Sequence, residues 1–307
     1  MGQKPNICVV GSANVDLIAR APKMPAPGET LIGSEFHMGF GGKGSNQAVI
    51  AARLGADVTM VTKLGKDIFG DNTLENYKEN KIDTRFVYFD DKLFSGVAPL
   101  FVDVNTGQNS IVVCPGANMG LSPEDVQKAE SAIQDADLLV CQLEIPVETT
   151  LEAFRLAKKS KVPTILNPAP AAQLPAELLD LTDIIIPNET EAQILTGLAV
   201  DTPESAFKAA KKLQKKGPQT VIVTLGKLGA VYLSGDQQDF ITAEQVSAVD
   251  TTGAGDAFVG CLAFQLARKK PLEGALQSAC AVATRSVLKI GTQTSFPYYE
   301  DVKDLVD

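Results

Sequence analysis

Short runs of β-branched and apolar residues alternate with segments of helical periodicity along almost the whole chain. The strand-like runs are residues 7–10, 58–61, 137–141, 164–166, 183–186 and 220–224. The helical segments between them are residues 45–54, 69–80, 123–132, 149–159, 190–195 and 203–216. Because strands separated by helices usually pair in parallel, this order predicts an α/β fold with a mostly parallel central sheet and helices on both faces.

Two stretches interrupt this alternation, residues 15–40 and 86–113, which have strand-like content but no helix between their turns. We assign both to a small β-sheet lid on one domain that spans residues 1–307. The lid should carry exposed apolar faces at residues 97–102 and 111–113. Such faces need a cover, and a homodimer through the lids would supply it.

Composition excludes several classes of protein. A net charge of -9 argues against a nucleic-acid surface. The longest apolar run, 257–264, is too short to span a membrane. The single histidine, His37, leaves no imidazole for a Ser-His-Asp triad or a histidine-rich zinc site. The five cysteines include no C-x-x-C pair, which is typical of reduced core residues and of a cytoplasmic protein.

The segment 249–258 places small residues and a carboxylate at the start of an apolar helix. Free N–H groups and the helix dipole favour an anion at such a start, and Gly253 and Gly255 would allow its close approach. Asp256 beside this site could accept a proton from a hydroxyl that attacks phosphorus, which favours a kinase. An ordinary glycine-rich turn, with Asp256 complementing the dipole, is the alternative.

Polar residues also follow the predicted strands. In a parallel sheet these positions converge on the edge where ligands bind. Together with residues of the glycine-rich segment 40–47, they offer donors and acceptors suited to sugar hydroxyls: Asn14, Asp16, Lys43, Asn46 and Glu144. Taken singly, each has a structural interpretation as a turn residue or an exposed carboxylate. The segment 40–47 itself lacks the P-loop spacing, and a turn capped by Ser45 is its alternative.

Asn188 and Glu191 have the N-x-x-E spacing of a capping box. Glu191 could also reach, through water, a magnesium ion carried by a nucleotide. The turn 224–229, with Gly226 and Gly229, would let a nucleotide approach the backbone, although this short pattern is weak evidence alone.

Taken together, these segments resemble the PfkB family of ribokinase-like carbohydrate kinases over nearly the whole chain. The resemblance rests on residues 41–47, 141–144, 167–170, 188–191, 250–256 and 291–293. It implies ATP-dependent phosphorylation of D-ribose at the 5-hydroxyl. It also implies that Asp256 is the base and that the backbone of Gly253, Ala254 and Gly255 forms an anion hole.

The resemblance implies three sets of binding residues. Sugar would be held by Asn14, Asp16, Gly42, Lys43, Asn46 and Glu144, with Asp256. ATP would lie along Asn188, Thr224, Gly226, Gly229, Gly255 and Cys280, the last standing where asparagine is expected near adenine. Potassium would be bound, partly through backbone carbonyls, by Asp250, Thr252, Ser286, Lys289, Gly291 and Ser295.

The substrate stays open at this point. A kinase for 2-deoxyribose, fructose or adenosine is the main alternative, since motifs describe the sugar pocket poorly. A sugar-binding protein without catalytic activity on the same fold is the other alternative, although Asp256 and its glycines argue against it.

Overall fold

The computed structural model describes residues 4–307, which form two β-sheets and eleven α-helices. The strands are β1 (Asn6–Val10), β2 (Asn14–Ala21), β3 (Glu35–Gly41), β4 (Asp57–Gly65), β5 (Asp83–Asp90), β6 (Gly96–Asp103), β7 (Asn109–Ile111), β8 (Leu138–Cys141), β9 (Thr164–Leu166), β10 (Ile184–Ile185), β11 (Thr220–Thr224), β12 (Gly229–Ser234) and β13 (Gln237–Thr242). The helices are α1 (Lys43–Arg53), α2 (Ile68–Glu79), α3 (Pro123–Lys128), α4 (Glu130–Gln134), α5 (Val147–Lys159), α6 (Ala176–Asp180), α7 (Glu189–Thr196), α8 (Pro203–Gln214), α9 (Ala254–Ala267), α10 (Leu272–Ser286) and α11 (Tyr299–Val306).

The large sheet has nine strands in the order β13-β12-β11-β10-β9-β8-β1-β4-β5. The seven strands β11, β10, β9, β8, β1, β4 and β5 pair in parallel. In this sheet only β12 and β13 pair antiparallel to their neighbours. The α/β fold with a mostly parallel sheet is therefore confirmed. No helix within residues 4–307 is both long enough and apolar enough to cross a membrane.

The core lies on both faces of this sheet, because successive side chains of a strand point to opposite sides. In β1, Ile7 and Val9 pack into the cluster that includes residues of α1, α9 and α10. Cys8 and Val10 pack into the cluster on the other face, with residues of α5 and α8. Burial of both faces explains the nearly continuous apolar runs seen in the sequence.

The second sheet has the strand order β3-β2-β6-β7. It confirms the predicted second, smaller sheet. The predicted start of its second stretch, residue 86, is wrong. Residues 86–90 belong to β5, which pairs with β4 in the large sheet rather than with the lid strands. Both half-exposed edge strands and lid strands are short alternating runs, so periodicity could not separate β5 from the lid. The lid consists of the four strands between residues 14 and 111.

A close approach of α1 and α9 brings two distant parts of the chain together. At Gly260 an added Cβ would lie 2.2 Å from Cγ2 of Ile50 and 2.7 Å from the carbonyl oxygen of Gln47. Only glycine permits this spacing. The second turn of α9 therefore packs closely against the middle of α1.

Candidate active site

The candidate site lies at the carboxyl edge of the large sheet, where five neighbouring parallel strands end. Each of these strands has a polar residue at or shortly after its end. They are, for β1, β8, β9, β10 and β11 in turn, Asn14, Glu144, Asn167, Asn188 and Thr224. The amino-terminal turns of α1 and α9 face the same region through the contacts of Asp256. Strand ends and helix starts are the usual binding edge of an open parallel sheet.

The start of α9 carries backbone donors that the protein leaves unpaired. Gly253 has a left-handed conformation at φ 79° and caps the helix without a side-chain hydrogen bond. The N–H of Ala254 donates to the carbonyl of Thr251 at 3.2 Å. Within residues 4–307, the N–H groups of Gly253, Gly255 and Asp256 have no such partner. Two of the three predicted anion-hole residues, Gly253 and Gly255, therefore keep a free donor at the positive end of the helix.

Asp256 is buried and held at both carboxylate oxygens. Nδ2 of Asn46 donates to Oδ2 at 2.8 Å, and Nε2 of Gln47 donates to Oδ1 at 3.0 Å. The side chain of Asp256 is only 5% exposed, so these charge-assisted bonds are shielded from water. The carboxylate is oriented by α1, and each oxygen keeps lone-pair capacity for one more proton donor.

One cavity of about 550 Å³ lies between the lid and the ends of β1 and β8. Asn14, Lys43 and Glu144 line it, as does Asn118, which the sequence analysis did not select. Oε2 of Glu144 accepts from Oγ of Ser12 at 2.6 Å and from the N–H of Lys43 at 2.9 Å. The other oxygen of Glu144 has no partner among residues 4–307, which leaves a fixed acceptor in this sugar-sized cavity.

The asparagine at the end of β1 is oriented in a similar way. Asn118 Nδ2 donates to Oδ1 of Asn14 at 2.8 Å, and Asn118 is itself fixed by the backbone N–H and carbonyl of Ala13. The Nδ2 group of Asn14 is therefore the side that can face a ligand. Nothing in the local sequence around Asn118 indicates this role, since its partners lie more than 100 residues away.

Three carboxylates and the Lys43 ammonium group interact electrostatically near this cavity. Burial and the carboxylates of Glu144 and Asp256 raise the pKa of Asp16 to about 7. The carboxylate of Asp256 also raises the pKa of Lys43, against the effect of burial, and Glu144 adds to it. Asp16 and Asn46 do not line the cavity wall, and neither does Gly42. Asp16, Lys43, Glu144 and Asp256 nevertheless lie close enough to interact electrostatically.

A second cavity of about 320 Å³ lies on the other side of the start of α9. All six residues predicted to lie along a nucleotide line it: Asn188, Thr224, Gly226, Gly229, Gly255 and Cys280. Its remaining walls are mostly apolar and include Phe258 and Val287. Burial raises the pKa of the Cys280 thiol to about 12, so Cys280 is an apolar wall here. Gly255 is shared by this wall and the free donors of α9.

Asn188 and Glu191 form the predicted capping box at the start of α7. Oδ1 of Asn188 accepts from the N–H of Glu191 at 2.8 Å, and Glu191 accepts from the N–H of Asn188 at 2.9 Å. Burial raises the pKa of Glu191, while the bond from Asn188 opposes the rise. No group of three or more His, Cys, Asp or Glu side chains that could hold a metal is found in residues 4–307.

Asp250 links the start of α9 to the loop after α10. Oδ1 of Asp250 accepts from Thr252, and Oδ2 accepts from the N–H of Gly291 at 2.9 Å. Burial would raise the pKa of Asp250, but these hydrogen bonds outweigh it and lower the pKa. In the described chain, no donor is placed on the carbonyl oxygens of Asp250, Thr252, Lys289 and Gly291. Backbone carbonyls of this kind suit potassium.

The hydroxyl groups of the two predicted serine ligands are already used. Oγ of Ser286 donates to the carbonyl of Ala283, and Oγ of Ser295 donates to the carbonyl of Thr292 at 2.8 Å. Lys289 is exposed and would also have to act through its backbone.

Comparison with known proteins identifies the family of this chain. The model of the pfkB family carbohydrate kinases matches residues 4–298. This chain belongs to the pfkB family of carbohydrate kinases.

Two curated members of the family and one solved structure show how close the likeness is. Mouse ribokinase is 47% identical over 301 residues, with 96% of this chain and 93% of that protein covered. A deoxyribokinase of Salmonella typhi is 44% identical, with 97% and 98% covered. The structure of Arabidopsis thaliana ribokinase complexed with ribose and ATP has a TM-score of 0.93 at 32% identity, covering 99% of each chain.

The sequence analysis assigned no role to the residues that orient the proposed ligand-binding side chains. Ser12 fixes Glu144, Asn118 fixes Asn14, and Gln47 fixes Asp256. Gln47 lies inside the glycine-rich segment 40–47, and Ser12 stands two residues before Asn14, so their positions in the sequence pointed to both. Asn118 became evident only from the fold.

Proposed function

We propose that this chain transfers the γ-phosphoryl group of ATP to the 5-hydroxyl of D-ribose, giving D-ribose 5-phosphate and ADP. The observation that carries the proposal is the position of Asp256. It follows Gly255, a wall of the 320 Å³ cavity, and accepts a hydrogen bond from Asn46, which lies on α1 with Lys43, a wall of the 550 Å³ cavity. A buried, oriented carboxylate thus lies between two binding cavities, next to free backbone donors.

In this mechanism Asp256 accepts the proton of the attacking hydroxyl as the oxygen–phosphorus bond forms. A weak base suffices, because the hydroxyl loses its proton late in a loose phosphoryl-transfer transition state. Asn46 and Gln47 keep the carboxylate aligned. The free N–H groups of Gly253 and Gly255 stabilise the charge on the transferred group. Positioning and electrostatic stabilisation supply most of the rate enhancement.

The sugar would occupy the 550 Å³ cavity. Asn14 and Glu144 present an oriented donor and an oriented acceptor there, and Lys43 lies on the same wall. Asp16, Gly42 and Asn46, which do not line this cavity, complete the proposed set. Mouse ribokinase and the Arabidopsis ribose complex support ribose. The Salmonella deoxyribokinase makes 2-deoxyribose the second candidate, since its identity is nearly as high.

The nucleotide would occupy the 320 Å³ cavity, with its phosphates toward Gly255 and its base toward the apolar walls near Cys280. Magnesium bound with the nucleotide neutralises phosphate charge. Glu191 would hold it through water, because both carboxylate oxygens already accept from Asn188. Potassium would be held by Asp250, Thr252, Ser286, Lys289, Gly291 and Ser295, chiefly through carbonyls, and would add positive charge near the start of α9.

We also propose a homodimer through the lids, in the cytoplasm. Three large apolar side chains share one face of the lid. Phe36 and Phe101 lie on either side of Ala19 in the sheet, and Met38 lies opposite Leu17. Phe36 is 65% exposed, Met38 46% and Phe101 42%. A second lid would cover this apolar face. The five cysteines are free, as expected in a reducing compartment.

The proposed function is tested by a coupled assay of ADP formation with ribose, 2-deoxyribose, fructose and adenosine, followed by NMR identification of the product. We expect the highest kcat/KM with ribose and phosphate on the 5-oxygen. A higher kcat/KM with another sugar or with adenosine would contradict ribose as the substrate. ATP consumption that does not depend on any acceptor would contradict the transfer itself.

A further inference from the structure

A chain of side-chain amides connects the catalytic carboxylate to a buried part of α2 and to the loop after α10. It begins at Arg53, passes through four amides, and ends at Asp256. The five hydrogen bonds are Arg53 Nε to Asn80 Oδ1 at 2.8 Å, Asn80 Nδ2 to Asn76 Oδ1 at 3.2 Å, Asn76 Nδ2 to Gln293 Oε1 at 2.9 Å, Gln293 Nε2 to Asn46 Oδ1 at 3.0 Å, and Asn46 Nδ2 to Asp256 Oδ2 at 2.8 Å. We name these four amides the amide chain.

The two ends give the amide chain one direction. The guanidinium of Arg53 can only donate, and an ionised Asp256 can only accept. Reversing any amide would place carbonyl oxygens or NH2 groups face to face. At Asn46 the reversed amide would put its oxygen against the carboxylate of Asp256. Each amide is therefore held in one orientation by the charged group at either end.

Gln293 occupies the central position of the amide chain. It is 4% exposed and lies in the loop after α10, whereas its partners lie on α1 and α2. Its Nε2 group also donates to Oγ of Ser45 at 3.0 Å. Arg53 donates to the carbonyl of Gln293, so the same cation holds the loop backbone and the far end of the amide chain. Loss of the Gln293 amide would interrupt every path from Arg53 to Asn46.

Given the proposed function, we propose that Gln293 is a positioning residue for Asp256, acting through Asn46. Gln293 fixes the amide of Asn46 with its NH2 group toward Asp256, which keeps the carboxylate aligned with the hydroxyl that it deprotonates. Gln293 does not contact either cavity. Its contribution should therefore appear in the chemical step, and the binding of ATP should depend on it little.

The test compares Gln293→Met with Gln265→Met. Methionine keeps the length of the side chain and removes its hydrogen bonds. Gln265 is a fully buried glutamine of α9 that donates to Oγ of Ser278 and to the carbonyl of Val306, away from both cavities. Each variant loses one buried amide, so thermal unfolding reports the shared structural cost and steady-state kinetics report the difference.

We expect Gln293→Met to lower kcat about tenfold while the KM for ATP changes less than about twofold, since misalignment of a general base acts on the chemical step. Gln265→Met should keep the wild-type kcat. A kcat for Gln293→Met within about twofold of the wild type would overturn the proposal. An equal loss of kcat in both variants would overturn it too, because the effect would then be a general loss of packing.

Asn76→Leu interrupts the same chain one amide further from the site and serves if Gln293→Met does not fold. We expect a smaller fall in kcat, about threefold, with an unchanged KM for ATP. An unchanged kcat in this variant would contradict the proposal that the amide chain positions Asp256. All rates are compared with the wild type on its preferred acceptor. Absence of wild-type turnover would contradict the proposed function, whereas equal rates would contradict only the role of Gln293.

Discussion

At the scale of single residues, the proposed sugar ligand Asp16 lowers the stability of the folded protein at high pH. Its pKa of about 7 in the folded protein compares with an ordinary value of 3.8. Between these two values the folded state holds a proton that the unfolded chain has released. The stabilising effect of this proton is lost as the pH rises through about 7. At pH 8 the folded protein therefore holds a half-buried, unfavourable carboxylate among like charges.

We expect Asp16→Asn to raise the melting temperature most at pH 8, with a gain that shrinks as the pH falls toward 5. The variant should also bind ribose more weakly in calorimetry. Thermal unfolding at several pH values checks the first expectation, with the exposed Asp304→Asn as control. A gain of equal size at pH 5 and pH 8, or a loss of stability at pH 8, would contradict the assigned pKa.

Many residues that line one cavity or the other could be predicted, because they stand next to a strand end or helix start that the sequence itself shows. Asn14 and Glu144 are of this kind. The residues that orient them could not be predicted, since orientation depends on contacts between distant segments. Asn118 lies in a short 3-10 helix and Gln293 in the loop after α10, and their partners Asn14 and Asn46 are 104 and 247 residues away. No local periodicity records such pairs.

At the scale of elements, the first turn of α9 has opposite requirements for stability and for catalysis. Gly255 is its second residue, and an added Cβ would meet nothing within 4 Å. Alanine there should stabilise the helix by up to about 0.5–1 kcal/mol. The same Cβ would stand on the wall of the 320 Å³ cavity, where the phosphates are proposed to lie.

We expect Gly255→Ala to raise the melting temperature and to lower kcat at least about tenfold, because displaced phosphates lose the backbone donors. Gly274→Ala is the matched control. Gly274 lies in the first turn of α10, and its added Cβ also meets nothing within 4 Å. Gly274→Ala should gain stability and keep full activity. Full activity in Gly255→Ala would argue against an anion hole at this helix start.

The main elements could be read from the sequence because strand and helix periods differ and both faces of the sheet are apolar. Helix α8, predicted at 203–216, is observed at Pro203–Gln214, and its capping box marks the start. β5 was assigned to the wrong sheet. Its residues are only partly buried and alternate as lid strands do, and pairing with β4 cannot be seen in β5 alone.

At the scale of the whole molecule, the lid has two different faces. Asp16, Ala98 and Leu100 share one face, and Asp16 couples electrostatically to the catalytic cluster. Phe36 and Phe101 lie on the opposite face and are exposed. The division follows from the two-residue period of a strand. One face of the lid therefore lies toward Glu144 and Asp256, and the other is exposed.

We expect a dimer in light scattering, and a monomer when Phe36→Lys or Phe101→Lys places a charge on the apolar face. Phe89→Lys is the control, since Phe89 is 39% exposed but lies on β5, outside the lid. A wild-type monomer at high protein concentration would contradict the dimer. Dissociation caused equally by Phe89→Lys would place the interface elsewhere.

The most direct test of the catalytic role of Asp256 is the turnover of Asp256→Asn, measured beside ribose binding by calorimetry. We expect kcat to fall about 100-fold to 10,000-fold, the usual contribution of a general base, while ribose still binds. Asp71→Asn, which changes an exposed first-turn carboxylate on α2, should keep full activity. Wild-type turnover in Asp256→Asn would contradict the assigned base, and with it the proposed mechanism.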